Sequence, residues 1–175
     1  TLSTLSVGEL SRRIKTLSIL CVVDETSILE IQKAFLAAIG WQVETAYNGE
    51  HAIEVFEEKG KGFFQLVILD QIMTGMDGLD CLQELRNRAP TLPIVLTTGY
   101  QLEDLGKSFP NDSITQYLQK PHRPVQLINI INQLILYRIP HNFQILWRYL
   151  HEEFWQNKGY TSHVQLLNPA FQDVN

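Results

Sequence analysis

The sequence LVILDQIMTGMDG, residues 66–78, joins a short apolar run to an acid and a turn-rich loop. Four consecutive apolar residues that stop at Asp70 are typical of a strand buried on both faces. An acid at the carboxyl end of such a strand lies where open α/β sheets bind their ligands. The stretch therefore predicts a parallel sheet with a polar site at one edge, and it places Asp70 in that site.

Three other strand-like runs also end in polar residues. Asp24 and Glu25 follow the run 20–23, Thr98 follows 93–97, and Lys120 follows 114–119. The carboxyl ends of parallel strands meet at the same edge of a sheet, so these acids, the hydroxyl and the lysine are expected to converge on one crevice.

Segments of helical periodicity fill the intervals between the strands. They lie at 27–39, 52–60 and 79–89, weakly at 102–109, and from Pro124 to 136, and a fifth strand-like run lies at 42–46. Ser27 and Glu30 have the spacing of a capping box, which predicts that the first helix starts there. Strands that alternate with helices predict an α/β fold with a doubly wound, five-stranded parallel sheet.

The chain divides into three predicted segments. Residues 1–16 are an N-terminal extension, residues 17–136 form the α/β domain, and residues 137–175 form a C-terminal extension of unknown role. The last segment carries apolar residues at helical spacing, which predicts an extra amphipathic helix. These residues are Phe143, Leu146, Trp147, Leu150 and Phe154. Packing on the domain or formation of a homodimer is the use we expect for this apolar stripe.

Composition excludes several classes of protein. The 175 residues carry a net charge of −5, and residues 137–175 have no basic face, so we expect no nucleic-acid partner within this chain. Two cysteines argue against a disulfide framework, and no apolar run approaches the roughly 18 residues that span a bilayer. Without a visible secretory signal, we expect the cytoplasm. The first residue, Thr1, leaves open whether the chain belongs to a longer regulator or hybrid kinase.

The four strand ends, in this order, resemble the receiver domain of two-component response regulators. The resemblance covers residues 17–136, about two thirds of the chain, and implies a flavodoxin-like (βα)5 fold with strand order 2-1-3-4-5. It implies a regulatory phosphoacceptor, not an enzyme that turns over a metabolite. The expected partner is a sensor histidine kinase or a histidine phosphotransfer protein.

The resemblance also assigns roles to single residues. Asp70 would be the phosphoacceptor, because a carboxylate can attack phosphorus and form an aspartyl phosphate. Lys120, joined to Pro121 by a cis peptide bond, and the Thr98 hydroxyl would contact the phosphoryl group. Mg²⁺ would be held by hard oxygen ligands. These ligands are the carboxylates of Asp24, Glu25 and Asp70 and the backbone carbonyl of Ile72.

Thr98 and Tyr117 match the two switch positions of the family, where the hydroxyl moves toward the phosphate and the aromatic ring turns inward. Thr97 is a rival for the first role, since strand alternation lets only one of two neighbours face a given side. The surface of residues 102–136 would then be remodelled.

The sequence departs from the family pattern at several positions. Glu25 stands where Asp is usual, and Thr74 stands where Pro is usual. Ile72 and Tyr100 are the variable neighbours of the phosphate. An apolar Ile72 cannot position an attacking water molecule, so we expect slow self-dephosphorylation.

Other readings of the same pattern fit less well. A haloacid-dehalogenase-like phosphatase needs an acid two residues after the nucleophile, where this chain has Ile72. A Rossmann dehydrogenase needs a G-x-G-x-x-G after its first strand, which is missing. The alternative that stays open is a degenerate receiver, which would act as a phosphorylation-independent binding or dimerisation module.

Overall fold

A computed structural model describes residues 17–101, 110 and 112–136. Those residues belong almost entirely to one compact unit, Lys15–Leu134; the chain's other unit comprises Thr1–Ile14 and Ile135–Asn175. Three predictions therefore lie outside the described residues. They are the N-terminal extension, the weak helix at 102–109 and the C-terminal amphipathic helix.

Strands and helices alternate along the described part of the chain. The strands are β1 (Ser18–Val22), β2 (Gln42–Ala46), β3 (Leu66–Asp70), β4 (Ile94–Thr98) and β5 (Thr115–Gln119). The helices are α1 (Thr26–Ala38), α2 (Gly49–Lys59), α3 (Gly78–Arg88) and α4 (Pro124–Leu136).

The five strands form one parallel sheet in the order β2-β1-β3-β4-β5. The predicted fold class and strand order are therefore confirmed. Strand β3 lies at the centre, between β1 and β4, and all five strands point the same way. The carboxyl ends of β1, β3, β4 and β5 are thus neighbours at one edge of the sheet.

The sheet is covered by helices on both faces. Every residue of β3 and β4 is buried, as the unbroken apolar runs predicted. Leu20 belongs to a core cluster that also contains side chains of α2 and α3. Its neighbour Cys21, which points to the opposite face, donates to the Gln32 side chain of α1. The sheet is therefore a buried platform for the residues that follow its strands.

The start of α1 differs from the prediction. The helix begins at Thr26 with Glu25 as its N-cap residue, and no side chain caps it. The Ser27 hydroxyl donates to the Glu25 carboxylate, with 2.9 Å between Oγ and Oε1. The predicted capping box is wrong because only three residues separate β1 from α1, so the helix has already begun before Ser27 can cap it.

The N-termini of α2 and α3 are capped by side chains. Asn48 accepts from the backbone N–H of His51 at 2.8 Å, and Asp77 accepts from that of Asp80 at 2.9 Å. Such caps stabilise a helix by about 1 kcal/mol. Both caps lie at the same edge of the sheet as the strand ends. No helix among residues 17–101 and 112–136 is long and apolar enough to cross a membrane.

Candidate functional site

Asp70 and Lys120 form the centre of the site. Asp70 is the last residue of β3 and is only 5% exposed. The Lys120 ammonium lies 2.5 Å from Asp70 Oδ2. The Lys120 backbone N–H donates to the Thr98 carbonyl at 2.7 Å, and the Lys120–Pro121 peptide bond is cis. The structure therefore brings together an acid and a cation that lie fifty residues apart in sequence.

Asp24 and Glu25 follow β1 but make different contacts. Asp24 is half-buried, and its Oδ2 accepts from the backbone N–H of Thr74 at 3.1 Å. It therefore faces the loop that follows Asp70. Glu25 is exposed, and its carboxylate accepts from the Ser27 hydroxyl.

The donor chemistry of this edge suits Mg²⁺, which takes hard oxygen ligands and keeps several waters. Asp24 and Asp70 supply carboxylates from the ends of two adjacent strands. Within the described parts of the chain, however, no three His, Cys, Asp or Glu side chains are grouped closely enough to hold a metal ion. Binding through Asp24, Glu25 and Asp70 together would therefore require side chains to reorient or waters to bridge.

Thr98 ends β4 and is completely buried. Its hydroxyl donates to the side-chain carbonyl of Gln71, the residue after Asp70, and accepts from the backbone N–H of Tyr100 at 3.0 Å. The Thr97 hydroxyl instead lies 3.5 Å from the Leu69 carbonyl within the sheet. Thr98 is thus the threonine whose hydroxyl reaches the loop after Asp70.

The loop 71–77 is held at both ends and in the middle. The Gln71 backbone donates to the Thr97 carbonyl at 2.9 Å and accepts from the Gly78 N–H at 2.8 Å. In the middle of the loop, the Thr74 N–H donates to the Asp24 carboxylate at 3.1 Å, and nearer its end the Met76 N–H donates to the Glu50 carboxylate at 3.0 Å. These bonds fix the backbone that follows the acid. Sequence analysis missed Gln71 and Glu50, because neither stands at the end of an apolar run.

Tyr117 lies in β5 and is half-buried. Its hydroxyl donates to the Pro110 carbonyl. Burial, reinforced by Asp112 and opposed by Arg86, raises the pKa of Tyr117 to about 12. The phenol is therefore protonated at neutral pH, and the proton it carries serves as a hydrogen-bond donor.

His122 is a further neighbour of the site that sequence analysis missed. Burial and the nearby Lys120 lower the pKa of His122, although a backbone hydrogen bond with Arg123 and the charge of Asp70 oppose this. The lowered pKa favours the neutral imidazole beside Lys120.

Two large apolar side chains stand on the solvent side of the site. Ile72 is 64% exposed and Tyr100 is 54% exposed. Ile72 lies two residues after Asp70, and Tyr100 lies two residues after Thr98. Both side chains are therefore accessible to water or to a partner.

Known proteins share this arrangement of elements. The model of the response regulator receiver domain family matches residues 19–132. Sensor kinase CckA of Brucella abortus (strain 2308) is 30% identical over 118 residues, which are 67% of this chain and 12% of that protein. Transcriptional regulatory protein ZraR of Klebsiella oxytoca is 35% identical over 103 residues, which are 59% of this chain and 23% of that protein. The similarity thus covers only a small part of either relative.

Solved structures give the same picture. Chemotaxis protein CheY4 of Vibrio cholerae superposes with a TM-score of 0.61 at 25% identity, over 68% of this chain and 98% of that one. Response regulator TrrA of Thermotoga maritima, solved in complex with Mg(2+)-BeF, gives a TM-score of 0.58 at 31% identity, over 67% of this chain and 98% of that one.

Proposed function

The chain belongs to the response regulator receiver domain family, and from this premise we propose that it accepts a phosphoryl group on Asp70 in two-component signalling. The observation that carries the proposal is the ion pair between the nearly buried Asp70 carboxylate and Lys120. A carboxylate is rarely buried without a function or a partner. Here the partner is a mobile cation that can follow the charge when it moves to a phosphoryl group.

The phosphoryl donor would be a phosphohistidine on a sensor histidine kinase or a histidine phosphotransfer protein. An Asp70 carboxylate oxygen attacks the phosphorus, and a phosphorus–oxygen bond forms as the phosphorus–nitrogen bond breaks. The imidazole leaves with the electron pair of the broken bond and takes a proton. The product is an aspartyl phosphate, which carries about two negative charges at neutral pH.

The surrounding residues would neutralise this charge. Lys120 would follow the charge from Asp70 Oδ2 to a phosphoryl oxygen, and the Thr98 hydroxyl would donate to another. Asp24, Glu25, Asp70 and the Ile72 backbone carbonyl would hold Mg²⁺, which when bound supplies positive charge to the phosphoryl oxygens. The similarity to TrrA, solved with Mg(2+)-BeF, supports this choice of ion.

The same charge would drive the switch. Movement of Thr98 toward the phosphoryl group leaves space beside β4, and Tyr117 on the neighbouring strand β5 turns into it. That turn breaks the hydrogen bond to the Pro110 carbonyl. Pro110, which precedes β5, would then lose this contact, and the protein-interaction surface around it would change.

The test is the intact mass of the protein after incubation with Mg²⁺ and acetyl phosphate. We expect the parent to gain one phosphate and Asp70→Asn to gain none. Asp80→Asn is the matched control, because Asp80 is an exposed acid in the first turn of α3, and this variant should be labelled like the parent. A folded parent that gains no phosphate with Mg²⁺ present would instead favour a degenerate receiver that acts only as a binding module.

We also expect slow self-dephosphorylation. Hydrolysis needs a water molecule held in line with the phosphorus, and the exposed Ile72 side chain offers no hydrogen bond to hold it. The half-life of the phosphorylated protein should therefore be minutes or longer, and Ile72→Gln should shorten it. The amount of phosphorylated protein is measured by mass spectrometry at intervals after the phosphoryl donor is removed. Loss of the phosphate within seconds would contradict this expectation.

A further inference from the structure

The hydroxyl of Thr98 is already engaged in this structure. Its proton goes to the side-chain carbonyl of Gln71, and its oxygen accepts from the Tyr100 N–H. A threonine hydroxyl has a single proton to donate. It therefore cannot donate to Gln71 and to a phosphoryl group at the same time.

The Gln71 side chain is held in a position where it competes with a phosphoryl group for the Thr98 proton. The Gln71 backbone N–H donates to the Thr97 carbonyl and its carbonyl accepts from the Gly78 N–H, at 2.9 and 2.8 Å. A Cβ placed on Gly78 would lie 2.6 Å from the Gln71 Cα, so the backbone here has no room to shift toward α3. The amide is thus presented to Thr98 from a fixed position, while Thr98 itself is completely buried.

Resting on the function proposed above, we propose that Gln71 is a positioning residue that holds the Thr98 hydroxyl in the unphosphorylated arrangement and so sets the threshold of the switch. Phosphorylation of Asp70 provides a charged acceptor one residue away from Gln71, and the hydroxyl changes acceptor. Because the amide oxygen of Gln71 accepts the same proton, it opposes that exchange.

The size and sign of the effect follow from this competition. Gln71→Leu removes the acceptor and leaves the proton of the buried Thr98 hydroxyl without an acceptor only in the resting arrangement. A neutral hydrogen bond of this kind changes an equilibrium roughly three- to tenfold. Gln71→Leu should therefore bind the phosphoryl mimic beryllofluoride, with Mg²⁺ in excess, about three- to tenfold more tightly than the parent.

Gln71→Glu should change the affinity for beryllofluoride in the opposite direction. The carboxylate keeps an acceptor for Thr98, bonds it more strongly than an amide does, and repels an incoming anion. This variant should bind beryllofluoride more weakly than the parent. A reversal of sign between two substitutions at one position cannot come from loss of folding stability, which would weaken binding in both.

The contact with Thr98 is tested by a double-mutant cycle. Thr98→Val removes the hydroxyl at nearly constant shape, so Gln71→Leu should change nothing further in the Thr98→Val background. Gln83→Leu is the matched control, because Gln83 is exposed on α3 and its amide donates to Asn87 of the same helix. The Tyr100 amide resonance should also shift in Gln71→Leu, since its acceptor Thr98 is released.

Binding is measured by isothermal titration of each folded variant, with Gln71→Met as a second apolar variant should Gln71→Leu fail to fold. The inference about Gln71 is overturned, and the proposed function is left standing, if an apolar variant binds beryllofluoride like the parent. The same conclusion follows if the apolar variant keeps its full gain in affinity in the Thr98→Val background. A parent that neither binds beryllofluoride nor gains phosphate overturns the proposed function as well. Tighter binding in the apolar variant, weaker binding in Gln71→Glu and no effect without the Thr98 hydroxyl support the inference.

Discussion

Asp70 is the residue whose surroundings set the chemistry of the site. Its side chain is 7% exposed, whereas that of its partner Lys120 is 33% exposed. The carboxylate has thus lost most of its water, and the ammonium replaces part of what was lost. The pair differs from Lys59–Glu44, in which both side chains are about one third exposed.

Loss of the Lys120 cation should therefore cost stability. We expect Lys120→Met to lower the free energy of unfolding at neutral pH by about 1–2 kcal/mol, less than for a fully buried pair because Lys120 is partly in water. Lys59→Met should cost below about 1 kcal/mol, because Glu44 keeps its water when the lysine is removed. Urea denaturation measures both values. Equal losses in the two variants would show that the burial of Asp70 does not matter.

The two cysteines should be inert in the folded protein. Cys21 and Cys81 are fully buried, and burial raises the pKa of each thiol to about 12, with smaller contributions from Asp70 and Glu50. Only the thiolate reacts, so alkylation at pH 8 should be slow in the native state and fast in urea. Intact mass after iodoacetamide treatment measures this. Rapid modification of the native protein would contradict it.

The raised pKa values of the two thiols also make the stability of the protein depend on pH. Both pKa values are raised on folding from a value of 9. The native state therefore holds these protons more tightly than the unfolded state. Their contribution to stability is full below pH 9 and is lost as the pH rises from about 9 toward 12.

Among single residues, the sequence pattern located those at strand ends but not those next to them. Asp70, Thr98 and Lys120 end or follow apolar runs, and a pattern search finds them. The contact between Gln71 and Thr98 depends on the register that sets Asp70 against Thr97 in β3 and β4. No feature of the linear sequence shows that register, so Gln71 looked like any loop glutamine.

Strand β3 and helix α3 meet at a junction where their backbones lie very close together. A Cβ on Gly78 would lie 2.3 Å from the Asp70 carbonyl oxygen and 2.6 Å from the Gln71 Cα. Both are backbone atoms, which cannot rotate away as the end of a side chain can. The first turn of α3 therefore lies directly against the end of β3, and only glycine allows this approach.

We expect Gly78→Ala to lower the free energy of unfolding by about 1–3 kcal/mol, because the added methyl group forces the junction apart. It should also slow phosphorylation of Asp70, whose backbone moves with the junction. Gly99→Ala is the matched control for stability, since a Cβ there meets nothing within 4 Å. Thermal unfolding with circular dichroism measures both. A Gly78→Ala variant as stable as the parent would show that the junction can open without cost.

Element order was easier to predict than element ends. Apolar periodicity reflects burial in the sheet, so all five strands and the four described helices appear in the expected order. The start of α1 was missed because the length of the connection from β1, and not the best capping residue, decides where the helix begins. The sequence pattern reports what is buried, whereas the geometry of short connections is a tertiary property.

For the molecule as a whole, strand order decides which residues can meet. With β3 at the centre, β1 on one side and β4 and β5 on the other, the order brings Asp24, Thr98 and Lys120 to the edge where Asp70 lies. Strand β2 is at the far edge and contributes none of the predicted site residues. Pairing β2 with β3 would have placed a strand between Asp24 and Asp70, so the proposed metal site depends on this topology.

If this sheet and its helices are what makes the protein stable, residues 15–136 should fold without the rest of the chain. Lys15–Leu134 is a compact unit that contains all five strands, and α4 ends at Leu136. We expect this fragment to unfold cooperatively within about 4 °C of the full chain, which is a difference of about 1 kcal/mol for a domain of this size. It should also gain one phosphate on Asp70 like the parent. A fragment that is unfolded, or that folds but is no longer labelled, would show that residues 1–14 or 137–175 are part of the functional receiver.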